Sequence, residues 1–396
     1  MTELSRRSLL GLAAGALLAA PVIRSRAASA GRVVVVGGGF AGITLARTLR
    51  RLAPTLAVTL VERRDHYTTC PFSNTVLAGL RTLESLRFDY RALPREGIDV
   101  VVAEARAIDP ERRTLQLTDG GVLPWDRLVL CPGVQLRWDA IAGYDQRAAS
   151  ELPHAWQAGP QTALLRRQLE AMPDGGVVLI AVPDNPYRCP PGPYERASLI
   201  AHYLRRTKPR AKVLILDAKD SFSKQALFEE AWAQLYPGMI EWIPASQTGR
   251  LLSVEAGSRT VRTDFDTFRP AVVNIIPPQR AGDIALRVGL DGGLGFCQVD
   301  PRSFESTLVP GVHVLGDAAL AWGMPKSAFS AASQARVCAH ALAALFEGRQ
   351  VAAPVLINTC YSLAAPDYGF SITGAYRAQA PGLGSRDPLD HARVEL

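Results

Sequence analysis

Arg32-Val33-Val34-Val35-Val36 runs without a break into Gly37-Gly38-Gly39-Phe40-Ala41-Gly42, and residues 43–52 follow with helical periodicity. Four successive valines suit a parallel strand buried on both faces. The order strand, G-x-G-x-x-G, helix predicts a dinucleotide-binding unit. Gly37 permits the tight turn, Gly39 lets the backbone approach a pyrophosphate, and Gly42 lets the helix pack on the strand. The helix start supplies free N–H groups and a positive dipole end for phosphates, and Phe40 and Ala41 of the glycine motif count among the candidate cofactor-binding residues. A second strand over residues 57–61 ends at Glu62, where a carboxylate is needed for ribose hydroxyls, and Arg63 stands beside it.

Three further segments point to FAD. Leu128-Val129-Leu130-Cys131-Pro132-Gly133 is a strand entering a turn, and it resembles the turn after the first dinucleotide unit of glutathione-reductase-like flavoproteins. Val312-His313-Val314-Leu315-Gly316-Asp317, with Thr307 ten residues before the Asp, resembles the second FAD motif of that group. The resemblance gives Asp317 the ribityl chain. Met324-Pro325-Lys326-Ser327-Ala328 opens a helical stretch to about residue 346. Its N-terminus and Lys326 are expected to stabilise negative charge on the reduced flavin.

A second nucleotide-type unit begins at the strand Val177-Val178-Leu179-Ile180-Ala181-Val182, with a helix expected over 196–205. Between them lies Pro183-Asp184-Asn185-Pro186-Tyr187-Arg188-Cys189-Pro190-Pro191-Gly192-Pro193. This proline-rich loop with one glycine does not form the tight turn that admits a pyrophosphate. An NAD-type fold without NAD chemistry is expected, and hence an electron donor that is not a nicotinamide.

The chain has 396 residues, 48% hydrophobic and 20% charged, a globular composition long enough for two or three domains. Residues 1–30 read as a signal peptide: Arg6-Arg7 is a twin arginine, residues 9–23 are apolar, and Ala28-Ser29-Ala30 suits a signal peptidase. Export to the periplasm with a folded, cofactor-loaded chain follows as an expectation. The apolar run is short for a membrane span, which needs roughly 20 residues. Arg6, Arg7, Arg24 and Arg26 contribute to the net charge of +7, so the remaining surface is mildly basic. No basic run interleaves with aromatics, which argues against nucleic acid. His66, His154 and His202 are isolated, and no metal-ligand cluster appears.

The six cysteines are Cys70, Cys131, Cys189, Cys297, Cys338 and Cys360, with no C-x-x-C and no haem-attachment motif. Any haem that serves this chain belongs to a partner chain. The segments Tyr67-Thr68-Thr69-Cys70-Pro71-Phe72-Ser73-Asn74, Tyr187-Arg188-Cys189-Pro190-Pro191-Gly192-Pro193-Tyr194-Glu195-Arg196, Met324-Pro325-Lys326-Ser327-Ala328-Phe329-Ser330 and Asn358-Thr359-Cys360-Tyr361-Ser362 carry a resemblance. They resemble the flavoprotein subunit of flavocytochrome c sulfide dehydrogenase, with sulfide:quinone oxidoreductase more distant. The resemblance implies FAD held by a thioether at Cys70 and a redox disulfide of Cys189 with Cys360 over the flavin. It further implies sulfide as substrate, attack on that disulfide, and electrons passed to a bound c-type cytochrome subunit. Which cysteine takes the sulfur stays open. Glu195 is a candidate proton relay or a helix-capping ion pair. Cys131, Cys297 and Cys338 read as buried thiols.

The expected architecture is α/β, with two Rossmann-like nucleotide-type units. The FAD unit is discontinuous, 31–150 and 280–348, the degenerate NAD-type unit covers 151–279, and a C-terminal interface segment covers 349–396 with a strand near 369–373. The family pattern continues with a helical stretch after a segment like 385–396. Two rivals remain: a quinone-reducing relative, which would use an amphipathic membrane-facing surface, and a non-catalytic flavin electron-relay or assembly protein. Residues 376–396 hold Arg377, Arg386, Asp387, Asp390, His391 and Arg393 with few large apolar groups, so no stable membrane insertion is expected.

Overall fold

The four valines of Arg32–Val36 lie at the centre of a five-stranded parallel sheet and are fully buried. On one side the strand pairs with Ala57–Glu62 and then Ile98–Val102; on the other it pairs with Arg127–Leu130 and then Val312–Val314. The strand order therefore reverses at the C-terminal end of Arg32–Val36, which opens a crevice there. The computed structural model describes residues 30–377 apart from Trp322, so the twin arginine and residues 386–393 lie outside the described residues.

A second parallel sheet repeats this logic. Val177–Val182 is flanked by Lys212–Asp217 on one side and Val272–Ile275 on the other, with Ile240–Ile243 at the edge. Each sheet has its own apolar core, the first sealed by the helices Phe40–Leu52 and Ala328–Phe346, the second by Pro160–Ala171, Gly192–Thr207 and Gln225–Leu235.

Both helix starts differ from the sequence expectation. The first helix begins at Phe40, inside the glycine motif, and the helix of the second unit spans Gly192–Thr207 rather than 196–205. Pro193 explains the second shift, because proline is accommodated in a helix's first turn, where its missing N–H costs no intrahelical bond. The C-terminal segment forms one antiparallel hairpin, Val355–Ala365 with Tyr368–Arg377, in which Cys360 faces Ile372. It lies against the Ala328–Phe346 and Gly192–Thr207 helices.

Candidate functional site

A cleft of about 550 Å³ opens at the switch point of the first sheet. Its walls include Gly37, Gly39, Phe40, Ala41, Glu62, Arg63, Cys70, Cys131, Gly133, Gly316 and Asp317. The three motif glycines have different jobs. A Cβ on Gly37 would sit 2.3 Å from the Cys131 carbonyl oxygen, and one on Gly42 would sit 1.9 Å from that of Gly37. These two are demanded by the chain's own packing. A Cβ on Gly39 would meet nothing closer than 3.7 Å, so its bareness serves whatever enters the cleft. The residues present thus fit a pyrophosphate-bearing cofactor such as FAD. Glu62 accepts the Gly38 N–H at 2.7 Å, which fixes the turn beside the expected ribose site.

Asp317 reaches the cleft from the short turn after Val312–Val314. Burial raises its carboxyl above the ordinary range, against the pull of Arg188 and Lys326. Lys326 departs from its expected role. It does not line the cleft, although Ser327 and Ala328 do. Its ammonium donates to the carbonyls of Asp317 (2.8 Å) and Ala319 (2.9 Å) and lies 3.9 Å from the Phe296 ring centroid. Burial lowers it to about 8. Lys326 is a brace for the turn that presents Asp317, because an ammonium on a flexible stem takes the nearest unsatisfied carbonyls.

Cys70 lines the cleft, as does Arg188. Cys189 follows Arg188 directly and has a left-handed backbone, φ 59°. For a residue with a Cβ this is a strained conformation, of the kind that concentrates at working sites. Three contacts impose it. Trp156 Nε1 donates to the Arg188 carbonyl at 3.2 Å, the Arg188 N–H donates to Gln279 Oε1 at 2.9 Å, and the Cys189 N–H donates to the Lys326 carbonyl at 2.7 Å. Cys189 stays accessible along one side although protein packs around its sulfur. That packing, with Glu195 and Cys360 nearby, pushes its thiol up to about 12, while Arg188 opposes the rise.

Cys360 arrives on the hairpin. Asn358 Nδ2 donates to its Sγ at 3.2 Å, and Asn358 Oδ1 accepts from Ser327 (2.6 Å) and Ser330 (3.0 Å). Ser327 also caps the Ala328–Phe346 helix through the Ser330 N–H. All six cysteines are free thiols here. Cys360 lies close enough to Cys189 for its charge to act on the Cys189 thiol.

Glu195 joins the three cysteine segments. It sits in the first turn of Gly192–Thr207, accepts Asn74 Nδ2 at 2.9 Å from the Cys70 segment, and accepts the Leu363 N–H at 3.1 Å from the Cys360 strand. Its oxygens go to these two donors rather than to a helix-capping cation. Burial raises its carboxyl, partly offset by Asn74, Leu363, Lys224 and Arg196.

Several residues that the sequence did not single out complete this region. Arg196 is fully buried and donates to Asn74 Oδ1, Asn274 Oδ1 and the carbonyls of His154 and Ala155 at 2.7–3.0 Å. Asn74 thereby bridges Arg196 and Glu195. Asp217 ends the second strand of its unit, the place Glu62 holds in the first. Here the carboxylate is spent: it accepts from Tyr194 Oη (2.5 Å), Trp242 Nε1 (3.0 Å) and Lys219 Nζ (2.5 Å). Phe222 stacks on Tyr194 with centroids 3.7 Å apart, so the chain's own rings pack beside this carboxylate. That position at a strand end was the available signal for Asp217; Arg196 and Asn74 stood at the ends of family-like segments with no role assigned to them.

Three family models match separate stretches: "Pyridine nucleotide-disulphide oxidoreductase" over 31–158, "Sulfide dehydrogenase [flavocytochrome c] flavoprotein chain, central" over 162–277, and "Flavocytochrome c sulphide dehydrogenase, flavin-binding" over 352–384. The flavoprotein chain of sulfide dehydrogenase [flavocytochrome c] from Chlorobaculum thiosulfatiphilum is 60% identical over 45 residues, which are 11% of this chain and 94% of that sequence. The mitochondrial sulfide:quinone oxidoreductase of Mus musculus is 22% identical over 298 residues. That match spans 72% of this chain and 65% of the mouse protein, just under two thirds of its length. The solved sulfide:quinone oxidoreductase of Aquifex aeolicus superposes with a TM-score of 0.71 at 20% identity, covering 88% of this chain and 83% of that one, and shares the fold. With the flavin-binding and central models both matched around the converging cysteine segments, this chain belongs to the family of flavocytochrome c sulfide dehydrogenase flavoprotein chains.

Proposed function

We propose that this chain oxidises sulfide, using FAD in the switch-point cleft and a Cys189–Cys360 disulfide as the entry point for electrons. The observation that carries this reading is the convergence of Cys189 and Cys360 beside the cleft wall that bears Cys70 and Arg188. A hydrosulfide anion attacks one sulfur of the disulfide. The S–S bond breaks, a persulfide forms on one cysteine, and the other leaves as thiolate with the electron pair. A second hydrosulfide takes the outer sulfur as a hydrodisulfide and frees that cysteine as a thiolate; as the two cysteines return to the disulfide, two hydrosulfides have net given one hydrodisulfide, one proton and the two electrons that pass on to the acceptor. Bound FAD supplies a two-electron acceptor that releases electrons singly. Arg188, whose charge interacts with Cys70, Cys189 and Asp317, favours the anionic forms on this path.

In this reading the FAD is linked covalently to Cys70, the electrons go to a c-type cytochrome partner that carries the haem, and the twin-arginine leader takes the chain to the periplasm. The family membership and the cleft's glycine cradle support FAD. The match to sulfide:quinone oxidoreductases favours a second reading in which a quinone takes the electrons. Among the described residues no helix is long and apolar enough to cross a membrane.

The test is anaerobic stopped-flow with sulfide, followed by addition of cytochrome c or a soluble quinone. Sulfide should bleach the flavin, and cytochrome c should restore its colour faster than quinone. Cys189→Ser and Cys360→Ser should each hold FAD yet fail to bleach. A flavin that sulfide leaves oxidised in the wild type rules the proposal out.

A further inference from the structure

A buried ammonium sits behind Cys360, and nothing in the sulfide chemistry above uses it. Lys224 is 8% exposed. Its Nζ donates to the Cys360 carbonyl at 2.5 Å and to Ser362 Oγ at 3.0 Å, and it lies 5.5 Å from the Phe370 ring centroid. Among the described residues, no carboxylate is within ion-pair distance of it.

The placement is held on purpose-built ground. Lys224 has a left-handed backbone, φ 65°, just before the Gln225–Leu235 helix. That is costly for lysine and persists only where the surroundings enforce it. Two residues earlier, Phe222 stacks on Tyr194, whose hydroxyl is fixed by Asp217. The spent nucleotide site of the second unit is therefore the mount that aims Lys224 at the hairpin.

A cation taken out of water needs a compensating anion. The negative charge that Lys224 meets comes from Cys360 first, then Cys189, then Glu195. Two of these three acquire charge only as thiolates. Other ionisable groups around Cys360 are Tyr376 on the paired strand and, through Leu363, Glu195 with Arg196 behind it.

We propose that Lys224 is a positioning residue for the redox cysteines: it fixes the Cys360 backbone and supplies the positive charge that stabilises the Cys360 thiolate once the pair is reduced. This rests on the reading of Cys189 and Cys360 as a redox pair. A charge that favours the thiolate also makes the disulfide easier to open, because the better leaving group leaves faster. Lys224 is thus a residue through which the second, nucleotide-free unit acts on the reaction.

The test uses the full flavin-loaded chain, reduced with a phosphine and alkylated with iodoacetamide at a series of pH values, with Cys360 modification read by peptide mass. Lys224→Gln keeps a donor for the Cys360 carbonyl and removes the charge. It should shift the profile alkaline and slow modification at neutral pH about tenfold. Lys224→Arg should stay near wild type. A Lys224→Gln profile that superposes on the wild type overturns the proposal. Sulfide bleaching of the wild-type flavin reads the underlying function separately: an enzyme inert to sulfide with a shifted Lys224→Gln profile would retire the substrate and keep the role of Lys224.

Discussion

Glu195 accepts the backbone N–H of Leu363 at 3.1 Å, across 168 residues of sequence. This bond latches the strand of Cys360 to the helix that follows Cys189. Removing the acceptor leaves a partly buried N–H without a partner, which costs about 1–3 kcal/mol. Glu195→Ala should lower the urea midpoint accordingly and slow sulfide-driven flavin reduction by more than tenfold. Glu195→Gln, which retains one acceptor oxygen for two donors, should fall between. Unchanged reduction kinetics in the alanine variant would remove Glu195 from the site.

The thioether proposed at Cys70 predicts that acid-precipitated protein stays yellow in the pellet. Cys70→Ser should release the colour to the supernatant while the cleft still binds FAD, since the glycine cradle and Asp317 remain. Free FAD from the wild type would show that Cys70 lines the cleft without bonding to the cofactor.

NADH and NADPH should leave the flavin absorbance unchanged over minutes of anaerobic mixing. The second unit has no glycine turn after Val182, and Asp217 is taken by Tyr194, Trp242 and Lys219. Phe222→Ala, which clears the ring from Tyr194, should still not restore reduction, because the acid and the loop remain unsuitable. Rapid bleaching by either nucleotide would contradict this account.

His154 makes stability depend on acid. Its Nδ1 accepts the Trp156 N–H at 2.9 Å, so the ring must be neutral there. Burial lowers it from 6.5 to about 3, with Arg196 and Arg188 adding to the effect. The unfolded chain takes up the proton first as pH falls. The stability His154 contributes is therefore complete above about 6.5 and is lost progressively toward 3. His154→Asn keeps an acceptor that does not titrate. Its urea midpoint should fall less between pH 7 and pH 4.5 than that of the wild type, and parallel curves for the two would dismiss the effect.

The dinucleotide cleft was legible because its parts are local. Four valines, three glycines and Glu62 lie within 31 residues, and each has a backbone reason that sequence spacing expresses. The cysteine centre was legible only through its resemblance to a family, because it is assembled from contacts such as Asn74 with Glu195 and Lys224 with Cys360 that no periodicity encodes. Lys326 shows a contact that sequence position does not express. Its position before a helix start was read correctly, but the sequence could not reveal that two carbonyls and a phenyl ring would claim the ammonium first.

The pairing of Val312–Val314 with Arg127–Leu130 makes the first unit inseparable from the rest of the chain. A fragment ending near residue 158 would contain the whole glycine motif yet leave Leu128, Val129 and Leu130, which are fully buried here, on a bare sheet edge. It would also lack Asp317. Such a fragment should self-associate rather than take up flavin. During synthesis the cofactor cleft comes into existence only after the second unit has emerged, and the hairpin that brings Cys360 follows it. The order of the chain thus lets a cofactor enter before Cys189 and Cys360 meet.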